Sequence, residues 1–148
     1  MGRLAYSLRF CTVGRRHAFV DPGVVALALS QFLRAATSCG MEIVAYCFMP
    51  DHVHLLVVGV AVDADARRFV TLAKQYSGYA HSRRFGAPLW QRFAYERVLR
   101  SADAIHEAAR YILNNPVRAG LVRRAEGYPY SGSSTHAVQD LLASPEGG

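Results

Sequence analysis

Two histidines, His52 and His54, sit one residue apart in the otherwise apolar run YCFMPDHVHLLVVG, from Tyr46 to Gly59. Successive side chains along a β-strand alternate faces, so both imidazoles point the same way, about 7 Å apart at Cα, and Val53 faces the other side. Two imidazoles so placed can hold one metal ion. Each can equally be a hydrogen-bonded surface histidine, and a bare His-x-His does not decide between these readings. A second pair lies further along the chain. In helical projection Ile105, Ala108, Ala109, Ile112 and Leu113 form one stripe, and Tyr111 and Asn115 share its border, four positions apart. A helix lying on a sheet presents such a border to a cleft. Taken singly, Tyr111 also reads as an amphipathic boundary residue and Asn115 as a helix-ending residue before Pro116.

The elements that must position these groups follow from periodicity and punctuation. LAYSLRFCT alternates Leu4, Tyr6, Leu8 and Phe10, the period of a half-buried strand, and the basic GRRH after it marks a loop. Asp21 caps a helix with Pro22 at its first position; Val25, Leu29, Phe32, Leu33 and Ala36 form its inward stripe, and Gly40 supplies a left-handed stop. MEIVAYCFM and HVHLLVVGV are two strands of a hairpin, joined at the turn formers Pro50 and Asp51. A second helix starts near Asp63 or Asp65 and buries Phe69, Val70, Ala73, Tyr76 and Ala80. FAYERVLR reads as a fourth strand, and a third helix runs from about Asp103 until Pro116 makes its continuation unfavourable. The order β-α-β-β-α-β, then a helix, predicts an α+β chain of ferredoxin-like (RRM-like) plan with a four-stranded antiparallel sheet. Two long helices should cover one face of that sheet and the His52 and His54 side chains should lie on the other.

A chain of 148 residues with 51% apolar and 19% charged residues reads as one globular domain, here residues 1–134, with 135–148 as a short tail flexible at its end. The longest apolar run is far too short for a membrane span. Three cysteines without metal-finger spacing, and an N-terminus without a secretory apolar core, predict a reduced, cytoplasmic protein. The net charge is +6, and of 17 basic residues only Lys74 is lysine, so the positive surface is almost wholly guanidinium. That suits bidentate phosphate contacts, although a GC-rich coding sequence gives the same bias.

The runs YCFMPDHVHLLV, ARYILNNPVRAGLV and GYPYSGSS, together with YSLRFCTVGRR, KQYSG and LWQRFAYERVLR, resemble the single-tyrosine HUH transposases. Within these, the resemblance is greatest to REP-associated tyrosine transposases and their insertion-sequence relatives, and it spans nearly the whole chain. It places His52 and His54 on the family's histidine pair, Tyr111 on its nucleophile and Asn115 on its third metal-ligand position, making the third helix the catalytic one. It further implies a divalent ion, Mg2+ or Mn2+, a hairpin-forming single-stranded DNA substrate, and relatives that are either monomers or homodimers.

The implied chemistry answers the needs of a phosphodiester. A phenol is a poor nucleophile at neutral pH and a DNA phosphate is an anion, so attack needs a cation to draw off charge. Tyr111 would keep the 5′-phosphate as a phosphotyrosine and release a 3′-hydroxyl, conserving the bond energy. No nucleotide cofactor is then required, and the chain carries no phosphate-binding glycine loop. Lys74, Gln75, Arg83, Arg92 and Arg118 are the candidates for gripping DNA. Two rival readings are a catalytically idle, RRM-like binder of structured single strands, and a His-x-His metallohydrolase. An RRM stacks bases on aromatics of its central strands, where this chain carries histidines; a phosphoesterase with two repeated histidine motifs would need a second motif, and His17, His81, His106 and His136 stand alone.

Overall fold

The computed structural model describes residues 4–143. Strand β1 (Ala5–Thr12), helix α1 (Pro22–Ser38), strands β2 (Met41–Met49) and β3 (His52–Gly59), helix α2 (Ala66–Phe85) and strand β4 (Trp90–Leu99) follow the predicted order, and helix α3 (Ala102–Leu113) comes next. Every strand pairing is antiparallel, and the spatial order is β4-β1-β3-β2. A fifth strand, β5 (Ser131–Gly132), extends the sheet beyond β2. The sequence predicted four strands, because two residues carry no readable period. Gly132 makes the fifth possible: a Cβ there would lie 2.7 Å from the Tyr46 hydroxyl.

The helix ends are set by their capping residues. Asp21 accepts from the Gly23 amide at 2.8 Å, Asp65 from Arg68 at 2.9 Å, and Ser101 from Ala104 at 3.0 Å, each satisfying an orphan donor of a first turn. Gly40 and Gly86, with φ of 65° and 71°, follow α1 and α2 in the left-handed conformation that terminates a helix.

The central strands of the sheet are buried on both faces. Phe10, Phe48, Val53 and Leu55 pack with Phe32 of α1 and Phe69 of α2 on one side. Ala45, Cys47 and Leu56 pack with Ala109, Ile112 and Leu113 of α3 on the other. A bulge between Ile43 and Ala45 shifts the alternation of β2, so Ile43 and Phe48 serve the same core although they differ in parity. Ser77 and His81 join Phe69 and Ala73 on the buried stripe of α2, where the sequence suggested Tyr76 and Ala80. Both are polar groups with partners: Ser77 Oγ accepts from Trp90 Nε1 at 2.9 Å, and His81 Nδ1 donates to the Ala87 carbonyl at 2.8 Å.

Several predicted boundaries move. The fourth strand, expected from Phe93, starts at Trp90. The third helix ends at Leu113, and Asn115 opens a separate turn, α4 (Asn115–Arg118), in which Pro116 occupies an early position that needs no amide donor. The segment expected to be a tail from residue 135 contains a fifth helix, α5 (Val138–Leu142), whose Leu141 is buried in the α3 core cluster. The end expected to be flexible, residues 144–148, lies outside the described residues. No helix among the described residues is long and apolar enough to cross a membrane.

Candidate active site

His52 and His54 alternate along β3 with Val53 and Leu55, which belong to the α1/α2 core, so both imidazoles lie on the α3 face. The face is the predicted one, opposite Leu29 and Phe32. Their ring centroids are 5.0 Å apart. Burial lowers the pKa of His52 against the opposing pull of the neighbouring Asp51 carboxylate. His54 is pushed down to about 4, first by burial and then by the positive charge of its neighbours, His52, Arg9 and Arg118 among them. Both rings are therefore neutral at pH 7, the form in which imidazole ligates metals.

Helix α3 lies over β2 and β3, leaving the β1–β4 side of the same sheet face open. At that step a cavity of about 240 Å³ is lined by Ser7, His54, Arg97, Glu107 and Tyr111, among others. The nucleophile candidate and one of the two histidines thus face a common space. Tyr111 is 59% exposed, while the adjacent Ile112 and Leu113 are buried and anchor its helix. The Arg118 guanidinium lies 3.7 Å from the Tyr111 ring centroid and donates to the Tyr111 carbonyl at 2.7 Å, which fixes the ring against α4. Asn115 is not among the lining residues of this cavity. Its side chain makes no hydrogen bond among the described residues, whereas Asn114 donates to the Arg110 carbonyl at 2.9 Å as part of the helix end.

A second cavity of about 180 Å³ shares Ser7, His54 and Arg97 with the first and continues to Arg9 and Tyr95. Arg9 stands directly between His54 on β3 and Tyr95 on β4 in the sheet register. Its guanidinium is 4.2 Å from the Tyr95 ring centroid, and its Nε is buried without a hydrogen-bond partner among the described residues. The Arg9 Nε–H is thus a buried donor without an acceptor among the described residues, beside the His54 imidazole. Phe93 and Tyr95, on the same face, are 76% and 62% exposed. Sequence reasoning missed Arg9, Tyr95 and Arg97. The alternation that put Leu8 and Phe10 in the core also put Ser7 and Arg9 on the histidine face, and this polar half of the pattern was the available signal.

The five predicted grip residues separate. Arg118 stands at Tyr111, and Arg92 lies beside Phe93 on β4. Gln75 and Arg83 line a groove with Arg34 and Tyr76 between α1 and α2, on the far side of the sheet from the histidines. The Lys74 ammonium donates to the carbonyls of Gln91, Arg92 and Phe93 at 2.7, 3.2 and 3.3 Å, which ties α2 to the edge of β4.

A family model described as "Transposase IS200 like" matches residues 1–115. Over 118 residues, 72% of this chain and 67% of its relative, the sequence is 29% identical to a Haemophilus influenzae protein inferred to be a REP-associated tyrosine transposase. The fold superposes with a TM-score of 0.74 on a REP-associated tyrosine transposase solved bound to a REP hairpin, at 19% identity, covering 88% of this chain and 77% of that one. A structure from Deinococcus radiodurans, inferred to be a transposase, matches with a TM-score of 0.58 at 27% identity, over 77% of this chain and 92% of the other. With its histidine pair and its tyrosine helix on one sheet face, the chain belongs to the IS200-like family of single-tyrosine transposases.

Proposed function

We propose that this transposase cleaves and rejoins hairpin-bearing single-stranded DNA by transesterification through Tyr111. The observation that carries the reading is the shared cavity of Tyr111 and His54, beside a second imidazole that is also neutral. The Tyr111 hydroxyl oxygen forms a bond to the scissile phosphorus, the bond from phosphorus to the 3′-oxygen breaks, and the proton lost by the phenol is balanced by the one gained at the departing 3′-hydroxyl. Attack by a second 3′-hydroxyl reverses the step and joins strands without an external energy source.

His52 and His54 fit a divalent ion such as Mg2+ or Mn2+. They are two neutral, half-buried nitrogen donors on one sheet face, and with Asn115, the third position the resemblance implies, they would hold the ion. When bound, the ion supplies Lewis-acid withdrawal of charge from the phosphate. The chain's own residues do the rest. Arg118 orients the nucleophile ring, Arg9 offers the unpartnered guanidinium to the phosphate backbone, and Phe93 and Tyr95 offer exposed rings to unpaired bases. A hairpin as substrate agrees with the REP hairpin bound by the structural relative. Some family relatives are homodimers; in a dimer of this chain each copy would use its own tyrosine.

The deciding experiment incubates the protein with labelled hairpins drawn from the flanks of its own gene, with and without Mn2+. A covalent protein–DNA adduct should form with the metal and vanish on chelation. Tyr111→Phe should abolish the adduct while hairpin binding survives, because only the hydroxyl is removed. An undiminished adduct in that variant, or DNA mapped by mass spectrometry to another tyrosine, would refute the assignment.

A further inference from the structure

We infer that Asp51 is a positioning residue that sets the tautomer and orientation of His52, an inference that rests on the reading of His52 as a ligand. His52 Nδ1 lies 2.7 Å from Asp51 Oδ1. A carboxylate only accepts, so Nδ1 carries the proton and Nε2 keeps its lone pair for the open side of the ring. The carboxylate is itself fixed. Arg15 Nε donates to its second oxygen at 2.9 Å. To bring that guanidinium over, the chain turns left-handed at Gly14 and Arg15, with φ of 62° and 54°, a conformation that a side-chain-bearing residue seldom adopts. The backbone of Asp51 is pinned as well: its carbonyl accepts from the Thr12 amide at 3.0 Å, and Thr12, fully buried, donates its hydroxyl to the Arg16 carbonyl at 2.7 Å and so ties the same loop down.

The consequence is an asymmetric pair. His52 is held by a carboxylate whose other oxygen accepts from Arg15, whereas the His54 ring makes no hydrogen bond among the described residues. One imidazole is set before any ligand arrives and the other is free to adjust. Asp51 occupies the turn of the β2–β3 hairpin, where its residue type is fully explained as a turn former. Its second use becomes visible only when the loop after β1 closes over it.

The test reads the tautomer directly. Nitrogen-15 chemical shifts of the histidine rings in the metal-free, DNA-free protein should show His52 as the Nδ1–H form. In Asp51→Ala that preference should be lost at His52 and unchanged at His54, and Mn2+ affinity, measured without DNA, should fall by about 10- to 100-fold. Asp51→Asn keeps the volume and the backbone bond to Thr12, and should show a smaller change of the same sign, which keeps the test available if the alanine variant does not fold. A His52 tautomer unchanged in both variants would overturn the inference. Lost Mn2+ affinity with an unchanged tautomer would overturn it too, since Asp51 would then be a ligand. Because the tautomer is read without metal, an unmodified protein that binds no Mn2+ would count against the metal reading, while loss of the tautomer in Asp51→Ala would still support the positioning role.

Discussion

Keeping two imidazoles neutral next to several guanidinium groups has a cost in acid, and His54 bears most of it. Its pKa falls from 6.5 to about 4, with burial as the largest cause and the charges of His52, Arg9 and Arg118 behind it. The folded state therefore resists a proton that the unfolded chain accepts. The stabilising contribution is present above pH 6.5 and is lost as pH falls through about 4. On the order of 2–3 kcal/mol of the metal-free protein's stability should disappear across that window. Denaturant unfolding of the chelated protein at successive pH values measures it, and His54→Gln, which cannot titrate, should flatten the decline. Equal slopes for the two proteins would mean that His54 is solvated and freely protonated. Arg9 links this property to the proposed chemistry, because the charge that repels a proton from His54 is the same one offered to a phosphate.

Among the elements, α3 carries the proposed nucleophile and depends on what lies under and beside it. Ala109, Ile112 and Leu113 hold it to the sheet, and α5 braces it through Leu141 and a contact of 2.7 Å between His106 Nε2 and the Ala143 carbonyl. Leu141→Ala should therefore cost about 2 kcal/mol or more, seen as a melting midpoint lower by several degrees, and should slow adduct formation more than it weakens hairpin binding. A flexible tail would leave the melting midpoint unchanged. The two α helices, the hairpin and the face of the histidine pair were legible in the sequence because caps, turn residues and a single strand period fix them locally. The α5 brace was not legible, since a five-residue helix shows less than two turns of periodicity. Nor was the β2 bulge, because MEIVAYCFM is apolar on both faces and has no alternation to interrupt. Arg9 and Asp51 were hidden differently: each fits an ordinary strand or turn, and only the pairing of β1 with β3 and the loop closing over the hairpin give them their second role. Lys74 shows the converse. An exposed-looking lysine on α2 is consumed by edge carbonyls of β4, and by occupying them it also discourages another strand from pairing there.

At the scale of the whole molecule the sheet divides binding charge from chemistry. Helices α1 and α2 contain Arg34, Arg67, Arg68, Lys74, Arg83 and Arg84 and no acidic residue, yet they lie across the sheet from Tyr111. Their field can draw DNA toward the protein, but the groups proposed to touch a scissile phosphate are those of the other face. The proposed catalytic groups on that face, His52, His54 and Tyr111, all come from one chain. Only Arg100 and Ser101 separate β4 from α3, and α3 is buried against its own sheet on one side and braced by its own α5 on another. Lending the tyrosine helix to a second copy would require a two-residue connection to span the distance to the partner, with Ile112 and Leu113 exposed until they rebury there. Each Tyr111 should consequently serve the histidines of its own chain, whatever the number of copies in solution. Mixing Tyr111→Phe protein with His52→Ala protein tests this, since one retains an intact histidine pair and the other an intact nucleophile. If the site is assembled within each chain, the mixture should form no more adduct than the sum of the two variants alone. Adduct well above that sum would show that α3 is exchanged between subunits, and that the packing of Ile112 and Leu113 is remade across an interface.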